Sequence, residues 1–117
     1  MAFRPPSSYE KTIIDRLLEQ DFFGRDALRL QFEGSLVETI EEYSDNYGSI
    51  RIRPSGESTN VNHRVPVEGR VYDNDGVPID HLLHVVDGYL DELEVVKADL
   101  TPIQRYPTPD ELDVFIR

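Results

Sequence analysis

Residues 77–97, VPIDHLLHVVDGYLDELEVVK, decide the fold of this chain. Two runs rich in β-branched residues, 79–86 and 89–97, flank Asp87-Gly88. Asp-Gly between apolar runs signals a two-residue hairpin, because a type I′ turn requires φ > 0 at both central positions. Such a loop sets Val86 opposite Tyr89, His84 opposite Asp91, Leu82 opposite Leu93 and His81 opposite Glu94. Each histidine then meets a carboxylate and leucine meets leucine, pairs that stabilise a hairpin. A three-residue loop with a bulge would shift this register.

Upstream, residues 65–72 read as a strand. Pro66 lacks a ladder donor and marks an edge or a start, and Gly69 suggests a bulge. The turn Asp73-Asn74-Asp75-Gly76 leads into 77–86, so 65–72, 77–86 and 89–97 form a three-stranded meander. Residues 77–86 are apolar on both faces, as expected of a central strand covered on both sides. Residues 49–53, SIRIR, alternate strictly, and residues 35–43 pair with them through the turn-forming run Ser44-Asp45-Asn46-Tyr47-Gly48. In that second hairpin, Glu41 and Glu42 are expected to meet Arg51 and Arg53 as ion pairs. Residues 54–62, PSGESTNVN, have the composition of an exposed loop.

The N-terminal part is helical. Ser7 and Glu10 form a capping box that starts a helix running to about Gln20, with Tyr9, Ile13, Ile14, Leu17 and Leu18 along one stripe. Phe22-Phe23-Gly24 breaks it. A second helix covers 25–33, with Leu28 and Phe32 on one face and Gly34 available as a left-handed stop. In the tail, Thr108-Pro109-Asp110-Glu111 is a second capping box, predicting a short C-terminal helix that docks Leu112 and Phe115 on the sheet. The expected architecture is a single α+β domain, residues 1–117. Two N-terminal helices pack on a mainly antiparallel sheet of about five strands, followed by the short C-terminal helix.

The chain has 117 residues, 23 acidic against 12 basic, for a formal charge of −11, and no cysteine. The charge argues against nucleic acid and anionic membrane as partners, since both recruit positive charge. It favours solubility and steers basic partners inward. Absence of cysteine excludes disulfides, thiolate metal sites and cysteine catalysis, and fits a reducing compartment. The first residues carry no apolar run of a signal peptide, and no stretch approaches the roughly 18 apolar residues of a membrane span. A cytoplasmic location is the expectation.

Few residues suggest chemistry. His81 and His84 would share a face on a helix and could chelate a metal, but on a strand their odd spacing sends them to opposite faces. His63 lies in the polar loop. Asp73–Gly76 resembles a calcium loop, yet that alignment puts Val71 and Leu82 at ligand positions, so it reads as a turn. The acidic pairs Glu41/Glu42, Asp91/Glu92/Glu94 and Asp110/Glu111/Asp113 are adjacent, without the contrast of environments that acid–base catalysis needs. No phosphate-binding glycine loop or serine-nucleophile signature is visible, and no cofactor or metal is expected. The most site-like stretch is Glu41, Glu42, Tyr43, Asp45 and Tyr47, two tyrosines among acids at a hairpin tip, which suits a basic protein partner.

The segments GRDALRLQFEG, GSIRI, VPVEGRVYDNDGVPIDHLLHVVDGYLDELEVVKADLTPI and YPTPDEL resemble an uncharacterised family of small bacterial proteins, a domain of unknown function. The resemblance covers most of the chain from about Leu17. It implies a two-helix start, a strand pair, a D-x-D-G turn at 73–76, an L-L-H-V-x-D-G hairpin at 82–88 and an acidic arm at 92–94. It carries over no catalytic residue. By analogy with small acidic immunity proteins, the functional expectation is a non-enzymatic binding protein that inhibits a basic partner such as a toxin. The alternative is a small-molecule- or metal-dependent enzyme using His81 or His84 with nearby carboxylates.

Overall fold

The computed structural model describes residues 2–117. Helix α1 spans Ser8–Leu17 and α2 spans Arg25–Glu33. The strands are β1 (Leu36–Ser44), β2 (Tyr47–Arg53), β3 (Val67–Tyr72), β4 (Pro78–Val86), β5 (Tyr89–Lys97) and β6 (Asp113–Ile116). They form one antiparallel sheet in the order β1-β2-β5-β4-β3-β6. The chain is thus α+β, with six strands rather than five. The capping box at Thr108 opens only a 3-10 turn, Pro109–Glu111, in place of a helix. After it, Leu112 is buried while β6 pairs with β3, leaving Phe115 exposed on an edge strand. Four residues, three of them β-branched or aromatic, gain more from ladder bonds to β3 than from another helical turn.

The hairpin at Asp87-Gly88 is a primed turn: φ is 53° at Asp87 and 80° at Gly88. Val86 faces Tyr89, but a bulge then displaces the register. Val85 faces Leu90, His84 faces Glu92, Leu83 faces Leu93, Leu82 faces Glu94 and His81 faces Val95. The bulge resolves a conflict of period. Leu90 and Leu93 would point to opposite faces of a regular strand, and the extra residue at Asp91 turns both inward with Val95. Gly69, by contrast, sits in regular register opposite His81. Its missing Cβ matters because Leu17 and Leu112 crowd that point, at 3.0 and 3.4 Å.

Helices α1 and α2 cover one face of the sheet. Ile13, Ile14, Leu17, Leu18, Leu28 and Phe32 pack on Val37, Ile50, Val67, Val71, Ile79, Leu83, Leu90, Leu93 and Val95. β4 alternates strictly: Ile79, His81, Leu83 and Val85 are buried, whereas Asp80, Leu82 and His84 on the other side are half-exposed. The central strand is therefore covered once, not twice. The capping box at Ser7 forms as expected, and Glu10 also takes a bidentate pair from Arg4 at 2.7 and 2.9 Å. Burial alone would raise the Glu10 carboxyl. The Arg4 guanidinium and the Ser7 amide outweigh it and hold the group below the usual carboxylate range.

Gly34 ends α2 at φ −107°, so the helix stops without a left-handed residue. Ser55 instead binds the Gln31 carbonyl through both its amide and its hydroxyl. The polar loop 54–62 is anchored rather than free: Val61 is buried, and Thr59 donates from both amide and hydroxyl to the Gly88 carbonyl. Gln31 ties α2 to the same turn, donating to the Gly88 carbonyl and accepting from Leu90. No helix among the described residues is long and apolar enough to cross a membrane.

Candidate acidic groove beside the open sheet face

The hairpin-tip residues do not make one surface. Tyr47 is only 1% exposed and lies at the centre of a ring cluster with Tyr9, Tyr43, Tyr106 and His81, centroids 5.6–6.4 Å away. It is part of the core and is not available to a partner, because Tyr9 of α1, His81 of β4 and Tyr106 pack around its ring. Its hydroxyl lies 2.9 Å from His81 Nε2, and His81 Nδ1 lies 3.3 Å from the Gly69 carbonyl. A carbonyl only accepts, so Nδ1 carries the proton and Nε2 accepts from Tyr47. His81 is fully buried with no carboxylate bonded to it, and burial pulls its pKa down to about 4. Burial likewise pushes the Tyr47 phenol up.

Glu42 and Asp45 stay at the exposed tip, where Glu42 accepts from the Asn46 amide and the Asp45 carbonyl accepts from Tyr106. Register also separates the expected ion pairs. Glu41 faces Ser49, and Glu42 faces Gly48. Arg51 instead approaches Asp91 at 3.6 Å and Glu92 at 3.9 Å, and Arg53 lies over the Phe3 ring.

Glu41 and Tyr43 belong to a different feature. β2 pairs with β5 only through Ile50–Leu93 and Arg51–Glu92. Beyond Ile50 the strands part, and side chains satisfy the freed edge of β5. The Ser49 hydroxyl accepts from the Val95 amide, and Tyr43 donates to the Val95 carbonyl at 2.9 Å. Above this notch opens a groove of about 570 Å³ between the β1–β2 hairpin, β5 and the 98–103 loop. Its carboxylates are Glu41, Glu92 and Glu94, and its apolar lining includes Ile40, Val96, Leu100 and Ile103.

The groove has a deficit of positive charge. Lys97 lines it, but its ammonium is buried against Asp73 at 2.9 Å and Asp75 at 2.6 Å. Glu92 has only the distant Arg51, Glu94 has only His84 at 2.8 Å, and Glu41 has no cationic partner among the described residues. A ring nitrogen of His84 and oxygens of Glu92 and Glu94 all lie within 4.8 Å of one another, the one such three-residue group among the described residues. Arg64 Nε donates to His84 Nδ1 at 3.1 Å, so the ring proton sits on Nε2 and is given to Glu94. His81 and His84 do lie on opposite faces. The groove carboxylates Glu92 and Glu94 were legible only as an acidic arm. The signal that places them is the odd spacing of Leu90 and Leu93, which demands the bulge.

The fold and groove together define an α+β protein whose antiparallel sheet is helix-covered on one side and acidic beside its open side. The chain belongs to the family of the domain of unknown function DUF6984, whose model matches residues 3–107. Strand β6 lies beyond the matched residues. No curated protein and no solved structure matches the chain.

Proposed function

We propose that this protein is a non-enzymatic binding protein that engages a basic protein partner, in the manner of an immunity-type inhibitor. The observation that carries the reading is the groove's uncompensated charge: Glu41, Glu92 and Glu94 face solvent with little internal cation to answer them, in a chain of charge −11. A complementary basic surface would be steered in by long-range attraction and would then occlude, or be occluded by, this face. The test is affinity capture on the immobilised protein from the cytosol of its source at low and physiological salt, beside an acidic control protein. The expected result is a strongly basic protein retained by this chain alone, with retention falling as salt rises. Failure to retain any basic protein above the control overturns the reading.

The second reading, a metal-dependent enzyme, narrows to His84. Its support is the convergence of His84, Glu92 and Glu94. Against it, a cation at Nε2 must displace both the ring proton and, for the ring to stay neutral, the Arg64 contact at Nδ1. Calorimetric titration with zinc and manganese, repeated on His84→Ala, decides it: stoichiometric binding lost in the variant supports a metal site, and no heat refutes it.

A further inference from the structure

The groove combines three features that separately mean little. Two carboxylates, Glu92 and Glu94, alternate along β5, and their oxygens lie close enough to be bridged by one cationic group. An aromatic ring, Tyr43, is held in the wall by its hydrogen bond to the Val95 carbonyl. The rim is apolar and exposed: Ile40 is 48% and Leu100 81% open to water. Leu100 also has φ +63°, uncommon for a residue with a branched side chain, and its amide is tied back to the Lys97 carbonyl at 2.9 Å. The chain thus holds a leucine out beside an acidic groove, and no other described residue covers it.

We infer that this groove receives an arginine side chain of the basic partner, an inference that rests on the function proposed above. The chemistry matches part by part. A guanidinium presents five donors in a planar fork, so it can donate to Glu92 and Glu94 at once, with Glu41 adding negative charge to the same groove. Its flat face stacks on an aromatic ring such as Tyr43. Its methylene stem lies along apolar surface, which Ile40, Val96, Leu100 and Ile103 supply. Lysine shares the stem but brings a compact, strongly hydrated charge that does not stack as a plane. The His84–Glu94 bond does not compete, because a carboxylate accepts several hydrogen bonds. The groove is larger than one side chain, leaving room for the residues that flank the arginine.

The test is an amide-resolved NMR titration with N-acetylarginine methylamide, its citrulline analogue and its lysine analogue. Citrulline keeps the shape and removes the charge. Saturable shifts are expected at Ile40, Glu92, Glu94, Val96 and Leu100 with the arginine compound, weaker with lysine, and absent with citrulline. The Glu92→Gln/Glu94→Gln variant should weaken arginine binding by about tenfold or more. Leu100→Ser, at an exposed position, should weaken it less and serves if the double variant folds poorly. Equal shifts with citrulline, tighter binding of lysine, or no saturable shift in the groove each overturn the inference. The partner reading fails separately. A captured basic protein whose retention ignores Glu92→Gln/Glu94→Gln refutes the groove and keeps the partner. Arginine binding in the groove with no basic protein captured keeps the groove and refutes the partner.

Discussion

Lowering the pH from 7 to 5 should destabilise this protein through one residue, His81. The imidazole is fully buried, its Nδ1–H on the Gly69 carbonyl and its Nε2 accepting from Tyr47. Burial holds its pKa near 4, against 6.5 for an exposed imidazole. The unfolded chain therefore binds a proton in a window where the folded chain does not, so stability is full above about pH 6.5 and falls as pH drops toward 4. At about 1.4 kcal/mol per pH unit the whole window is worth roughly 3 kcal/mol, of which about 2 kcal/mol lies between pH 7 and 5. For a domain of this size that is roughly 8 °C in Tm. Glu10, held low by Arg4, loses its contribution only at lower pH, as its carboxylate is protonated. The assay is urea unfolding across this range for the parent and for His81→Gln. The variant starts lower, by roughly 1–3 kcal/mol for the disturbed hydrogen bonds, but its stability should be about 2 kcal/mol flatter between pH 7 and 5. Parallel pH profiles, or an NMR titration of His81 centred near 6.5, refute the reasoning.

Gly88→Val should cost roughly 2 kcal/mol or more by urea midpoint, because φ is +80° there and a Cβ would sit 2.4 Å from the Thr59 carbonyl oxygen. An unchanged midpoint would mean that Asp87-Gly88 is not a primed turn. Tyr47→Phe leaves His81 Nε2 buried without a donor and should cost about 1–3 kcal/mol, which thermal unfolding reads directly. Glu10→Gln breaks the charge pair with Arg4 and weakens the capping box, so it should lower stability by roughly 2 kcal/mol and lessen the loss below about pH 4. Neutralising Glu41, Glu92 and Glu94 together should slow association with a captured basic partner and weaken its salt dependence by surface-plasmon kinetics, while chemical stability changes by about 0.5 kcal/mol or less per site.

Local chemistry made much of the fold readable from the residues themselves. The primed turn follows from Asp87-Gly88, the first helix start from Ser7 and Glu10, the second helix from Leu28 and Phe32, and the β3-β4-β5 meander from alternating runs between turn formers. These are decided within a few residues, by φ preference, capping and period. Other features depend on partners distant in sequence. The bulge at Asp91 forms because Leu90 and Leu93 must both reach a core that α1 and α2 complete. The segment after Thr108 becomes a 3-10 turn and a strand because β3 offers it an open edge. Tyr47 is buried because α1, β4 and the 105–107 segment close over the hairpin tip, and no pattern around residue 47 announces that. The groove arises in the same way. Glu41 and Glu94 are about fifty positions apart, and they share a cleft only because β2 parts from β5 after Ile50. Turn types and periods are written locally in side-chain stereochemistry, whereas burial and charge neighbourhood belong to the packed sheet.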